Sequence, residues 1–156
     1  MSAQPRKILL ATDGSEEADL AAKAASDLAE DPGSELHVVI VGPGYPLYML
    51  PDSTGRFREV YEEEQRQTRE VLDAQVSKIE ASGGKVHEAH QRSGRPDREI
   101  LALADDLDAD LVVIGSRGLG GLRRALMGSV STSVVRHAHC PVLVVRGKED
   151  GRVEQS

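Results

Sequence analysis

Leu111-Val112-Val113-Ile114-Gly115-Ser116-Arg117-Gly118, followed after nine further residues by Gly128-Ser129, decides how this chain folds. The four apolar residues read as a buried strand. Beyond the glycines, Val130-Ser131-Thr132-Ser133-Val134-Val135 can start a helix. A strand that opens into a glycine-rich loop and closes on a helix N-terminus suits phosphate. The loop offers backbone N–H groups with no side chain in the way, and the helix start adds unpaired N–H groups and a favourable dipole. Glycines after a strand also make plain turns, and that reading stays open here. The charge pattern favours an anion. The chain carries a net charge of −7, yet no Asp or Glu lies between Asp110 and Glu149. That stretch holds Arg117, Arg123, Arg124, Arg136, Arg146 and Lys148. A local basic zone in an acidic chain points to an anion bound at one place.

Outward from this segment, strand and helix signals alternate. Lys7 to Thr12 reads as a first strand ending in the turn Asp13-Gly14-Ser15. Ser15 is placed to cap a helix, with Glu16 and Glu17 in its first turn and Ala18, Ala21, Ala22, Ala25 and Leu28 along one face. Asp31-Pro32-Gly33 stops it, and Leu36 to Val41 is a second strand. A long helix is expected from Phe57 to Ala81, with Phe57, Val60, Tyr61, Thr68, Val71, Leu72 and Ile79 as its inner stripe. Lys85 to Gln91 reads as a third strand, and Pro96 as the start of a helix buried through Ile100, Leu103, Ala104 and Leu107. Leu111 to Ile114 and Val142 to Val145 are the fourth and fifth strands. The order predicts an α/β fold, an open five-stranded parallel sheet with helices on both faces. We expect one domain over residues 1–146 and a polar tail over 147–156.

Composition narrows the class. The 156 residues include no Trp and one Phe, so Ala, Val, Leu and Ile must build the core. The net negative charge disfavours nucleic acid as the main partner. No apolar run reaches the length of a membrane span, and the N-terminus has no signal-peptide core. Cys140 stands alone and suits a reducing compartment. These features predict a cytoplasmic protein.

In parallel sheets, ligands sit outside the C-terminal ends of the strands. Thr12-Asp13-Gly14, Val41-Gly42 and the glycine loop meet that description. The loop lacks the Gly-Lys-Ser/Thr of a Walker P-loop, and Gly118-Leu119-Gly120 lacks the third glycine of a dinucleotide fingerprint. The pattern Gly-x-x-Gly, nine residues, Gly-Ser instead resembles the ATP-binding signature of the universal stress protein family. Ile8-Leu9-Leu10-Ala11-Thr12-Asp13-Gly14-Ser15, Asp110 to Gly118 and Cys140-Pro141-Val142-Leu143-Val144-Val145 are similar to segments of that family. The resemblance runs from Arg6 to Arg146 and is weakest over residues 42–56.

It implies a Rossmann-like three-layer sandwich of the adenine-nucleotide α-hydrolase-like type, and an ATP site. Gly115 and Gly118 would lie under the phosphates or ribose, and Gly128 and Ser129 would contact the β- and γ-phosphates. Ala11, Thr12, Arg117, Val130 and Ser131 complete the expected set, and backbone groups near Val41 would read adenine. Asp13 would approach the ribose or a phosphate-bound Mg²⁺, for which an oxygen ligand is suitable. It serves equally as an Asx-turn or cap. Arg117, Arg123 and Arg124 either clamp phosphate or stay solvated, and Ser131 and Thr132 either join the site or act as local caps.

The run His137-Ala138-His139-Cys140 lacks a fourth ligand for tetrahedral zinc and reads as a helix end. His37, His87 and His90 show no spacing that marks catalysis. No residue reads as a dedicated general base, so hydrolysis is expected to be slow. The expected function is a nucleotide-dependent regulatory module of the stress response. A weak ATPase, or a nucleotidyl- or phosphoryl-transferring enzyme, is the alternative. The last strand is apolar on both faces, and the resemblance implies a homodimer through Val142–Val145; a covered edge is the other possibility.

Overall fold

In the computed structural model, residues 5–44, 55–116 and 128–147 are described. The elements alternate as β1 (Lys7–Thr12), α1 (Glu16–Leu28), β2 (Glu35–Gly42), α2 (Arg56–Ala81), β3 (Glu88–Ser93), α3 (Pro96–Leu107), β4 (Leu111–Gly115), α4 (Ser129–His137) and β5 (Val142–Val145). Every pairing is parallel, and the strand order is β3-β2-β1-β4-β5. This is the open five-stranded sheet that the alternation predicts. The chain winds outward from β1 through β2 to β3, then returns to the other side of β1 as β4 and β5. The reversal lies between β1 and β4, where an open α/β sheet leaves a crevice.

Alternate residues of each strand feed two cores. On one face Ile8, Leu10, Val38, Ile40 and Val113 pack beneath α1 and α2. On the other, Leu9, Ala11, Val39, Val112 and Ile114 pack against Ile100, Leu103 and Val134. The second set belongs to α3 and α4. Apolar side chains on both faces are the mark of a strand covered on both sides. The N-terminal end of the sheet is held by Asp110, whose carboxylate accepts from the backbone N–H groups of Arg6 (3.1 Å) and Lys7 (2.9 Å).

α1 starts as its sequence predicts. Ser15 is extended, and its hydroxyl accepts from the Ala18 N–H at 3.1 Å. Ala18, Ala21, Ala22 and Ala25 form the buried face, which lets the helix backbone approach the sheet closely.

Two expectations are corrected. β3 begins at Glu88, because its pairing with β2 opens at His37 and Glu88. In α2 the buried residues are Leu72, Gln75 and Ile79, whereas Val60 is 47% exposed and Phe57, Tyr61, Thr68 and Val71 are half-buried. Full burial is confined to the C-terminal half of this 26-residue helix. Gln75 is buried because its Oε1 accepts from the Thr12 hydroxyl at 2.5 Å, while its amide donates to Asp19 at 3.2 Å. A buried amide with both ends satisfied costs little and fixes how α2 sits against β1 and α1.

Candidate functional site

A cleft of about 310 Å³ opens at the C-terminal ends of β1, β2 and β4. Its floor is apolar: Ala11, Val39, Val41 and Ile114 from the strands, closed on one side by Ile100 of α3. Its rim is polar. Thr12, Asp13 and Ser15 come from the turn after β1, Gly115 and Ser116 from the end of β4, and Gly128 and Ser129 from the start of α4. Val130 and Ser131 lie behind them in the first turn of that helix. The structure thus gathers Ala11, Thr12, Asp13, Val41, Gly115, Gly128, Ser129, Val130 and Ser131 around one cavity. Arg117 and Gly118 lie outside the described residues, as do Arg123, Arg124, most of the segment after Gly42 and the tail beyond Gly147.

The N-terminus of α4 is built to receive an acceptor. Gly128 is the N-cap, extended at φ −68° and ψ 164°, and no side chain caps the helix. The first N–H groups of a helix have no intrahelical partner and carry the positive end of its dipole. The Ser131 hydroxyl does not supply the missing cap. It donates to the backbone oxygens of Ser116 (3.0 Å) and Gly128 (3.1 Å), and the Gly128 N–H also donates to the Ser116 oxygen (2.5 Å). These bonds tie the helix start to the end of β4. Ser131 is 2% exposed and braces the start of α4 against the end of β4.

Asp13 likewise takes up its Asx-turn, with Oδ1 accepting from the Ser15 N–H at 2.9 Å. The turn directs the carboxylate into the cleft rim beside Gly14, whose φ of +82° is left-handed. Gly115 has a role that its place in the loop pattern does not reveal. A Cβ there would lie 3.2 Å from the Glu17 Cβ and 3.3 Å from the Glu17 backbone oxygen. The missing side chain therefore admits the first turn of α1. Glu17 then accepts from the Ser116 hydroxyl (2.7 Å) and from the Gly147 N–H (3.2 Å), joining the ends of β4 and β5.

α3 contributes residues that sequence reasoning missed as part of the site. Pro96 and Ile100 line the cleft because β3 delivers the N-terminus of α3 to its edge. A tie from α4 holds that end. The Ser133 hydroxyl donates to Asp97 Oδ2 at 2.7 Å, and with help from Arg95 it holds the Asp97 carboxyl below its ordinary pKa. A carboxyl depressed by folding stabilises most above the ordinary carboxylate range, and this stabilisation is lost as pH falls through its folded value. Ser133→Ala is therefore expected to cost about 1.5–3 kcal/mol at pH 7. Urea unfolding of both proteins should show the difference shrinking as the pH falls below the ordinary Asp pKa of about 4.

The run at the end of α4 does not assemble a metal site. The His137 ring bonds the Ser133 backbone oxygen (3.0 Å), His139 pairs with Asp105 (3.1 Å), and burial pushes the Cys140 thiol up. A larger groove of about 910 Å³ lies at the opposite end of the sheet, by the C-terminal ends of α1 and α2.

Comparison with known proteins identifies the architecture. The universal stress protein family matches residues 5–146. The chain belongs to this family. Universal stress protein MJ0531 of Methanocaldococcus jannaschii is 36% identical over 141 residues, covering 90% of this chain and 82% of the relative. The solved structure of protein MJ0577 superimposes with a TM-score of 0.77 at 27% identity, over 94% of this chain and 99% of that one. A universal stress protein solved in complex with cAMP has the same fold, with a TM-score of 0.70 at 24% identity over 92% and 98% of the two chains. No helix among the described residues of this family member is long and apolar enough to cross a membrane.

Proposed function

We propose that this universal stress protein binds ATP in the cleft between β1, β2 and β4, and acts as a nucleotide-dependent regulatory module with little or no hydrolysis. One observation carries the reading: an uncapped helix N-terminus, reached through Gly128, opens beside an apolar floor. The N–H groups suit phosphate oxygens, and the wall of Ala11, Val39, Val41 and Ile100 suits a flat base. A solved protein of the same fold holds the adenine nucleotide cAMP, which accords with this chemistry. Mg²⁺ keeps most of its waters and takes one or two carboxylates besides phosphate oxygens. Asp13, fixed at the rim by its Asx-turn, fits as that single carboxylate.

The lining supports the reading of little or no hydrolysis. Among the described residues, Asp13 is the only ionisable side chain that lines the cleft, and it is already engaged by the Ser15 N–H. A phosphoryl-transfer enzyme positions its nucleophile with a further residue. Calorimetry of nucleotide-stripped protein with ATP and Mg²⁺, followed by product assay in the same sample, tests both halves. Binding with negligible turnover is expected. Steady turnover would favour the enzyme, and no binding would leave the glycine loop a purely structural feature.

The exposed edge of β5 supports a homodimer. Among the described residues it pairs only with β4, and Leu143 is 37% exposed on it. An apolar strand edge is a template for pairing with another chain. Leu143→Lys is expected to shift the protein from dimer to monomer in sedimentation analysis, while a dimer that persists would place the contact elsewhere.

A further inference from the structure

The register between β2 and β3 assembles a cluster towards the N-terminal end of the sheet. Pairing of His37 with Glu88 and of Val39 with His90 sets all four side chains on one face, and His87 precedes β3 directly. His37 is 3% exposed, and its two ring nitrogens look in different directions. Nε2 lies 3.2 Å from Glu35 Oε1, and Nδ1 lies 3.0 Å from His90 Nε2. The Nε2 of His87 is 3.9 Å from the same Glu35 oxygen. One ligand atom from each of Glu35, His37 and His87 falls within 4.8 Å of the others.

We propose that Glu35, His37 and His87 bind a Zn²⁺ ion, with water in the fourth position and His90 orienting His37. Ligand atoms about 2.0–2.1 Å from a tetrahedral ion lie roughly 3.3 Å apart. Glu35 and His37 already stand at that separation. His87, 53% exposed at its side chain, closes the remaining gap by rotating. Two imidazoles and a carboxylate form a donor set suited to zinc and too nitrogen-rich for Mg²⁺ or Ca²⁺. Loading asks only that the His37 proton sit on Nδ1, where it donates to His90 Nε2. A ligating histidine is normally held by such a bond from its other nitrogen.

The second convergent triplet, His37, Glu88 and His90, shares His37, and its nitrogens are already committed to each other. The ion would pin the edge strand β3 to β2.

Equilibrium dialysis of the full, nucleotide-free chain against Zn²⁺ is the test. One ion per chain is expected, with a raised melting temperature and no response to Mg²⁺. His87→Gln and Glu35→Gln, both at exposed or half-exposed positions, should each weaken binding about tenfold or more. His139→Gln should leave it unchanged. Failure of the wild type to take up Zn²⁺, or wild-type affinity in both His87→Gln and Glu35→Gln, would overturn the proposal. Loss in His139→Gln alone would do the same by moving the ion to the end of α4.

Discussion

Replacing Gly128 with valine is expected to abolish ATP binding while the protein stays folded. The glycine caps α4 with φ −68° and ψ 164°, an extended conformation that valine adopts readily. Backbone strain is therefore not the issue. Its N–H bond to the Ser116 oxygen also survives the change, since it is made by the main chain. A branched side chain at this lining position would crowd the start of α4, where the first-turn N–H groups face the cleft. Hydrogen bonds to a charged group contribute about 1.5–3 kcal/mol each. Losing two of them weakens affinity by roughly 100-fold or more, at about 1.4 kcal/mol per tenfold. The stability cost should stay near about 1 kcal/mol, the difference between a good and a poor N-cap. Calorimetry reads the affinity and thermal melting without nucleotide reads the fold. Unchanged affinity would remove the α4 N-terminus from the site.

Gly14→Ala is expected to lower stability by about 2–3 kcal/mol, from two separate causes. At φ +82° the residue lies in the left-handed region, which costs an L-amino acid about 1–2 kcal/mol. A Cβ would also stand 2.7 Å from Val71 Cγ1, and valine is too short and stiff to move aside cheaply. The two causes separate in a double-mutant cycle measured by urea unfolding. Val71→Ala should recover the steric part in the Gly14→Ala background and leave the backbone part. Gly14→Ala should also weaken nucleotide binding, because this turn places Asp13 at the rim of the cleft. A variant that unfolds at the wild-type midpoint would mean that the turn after β1 has another conformation.

Much of the fold is legible in short stretches of sequence. Ile8 to Ala11 and Val112 to Ile114 are apolar without alternation, and both prove to be strands buried on two faces. Asp13-Gly14-Ser15 carries its turn and cap in its own side chains, and Ala18, Ala21, Ala22 and Ala25 state the buried face of α1 by spacing alone. The cleft was also legible in outline, because the strand order of an α/β sheet fixes which loops meet. The inner stripe of α2 was misread in its first half. Helical periodicity shows which residues share a face and not how far the sheet extends beneath it, so Val60 stays exposed.

Local chemistry can be read from the chain alone: the elements, their order, their caps, and the glycines and hydroxyls after β4. Such features depend on residues a few positions apart, whose geometry the backbone dictates. That Ile100 closes the cleft and that Gly115 clears a path for Glu17 emerges from the folded arrangement. It alone buried Gln75 against Thr12, 63 residues away, and brought His37 within 3.0 Å of His90, 53 residues on. These contacts follow from strand register and from which helix covers which face. Both are set by the simultaneous burial of two apolar cores, a condition on the whole chain that no short segment records.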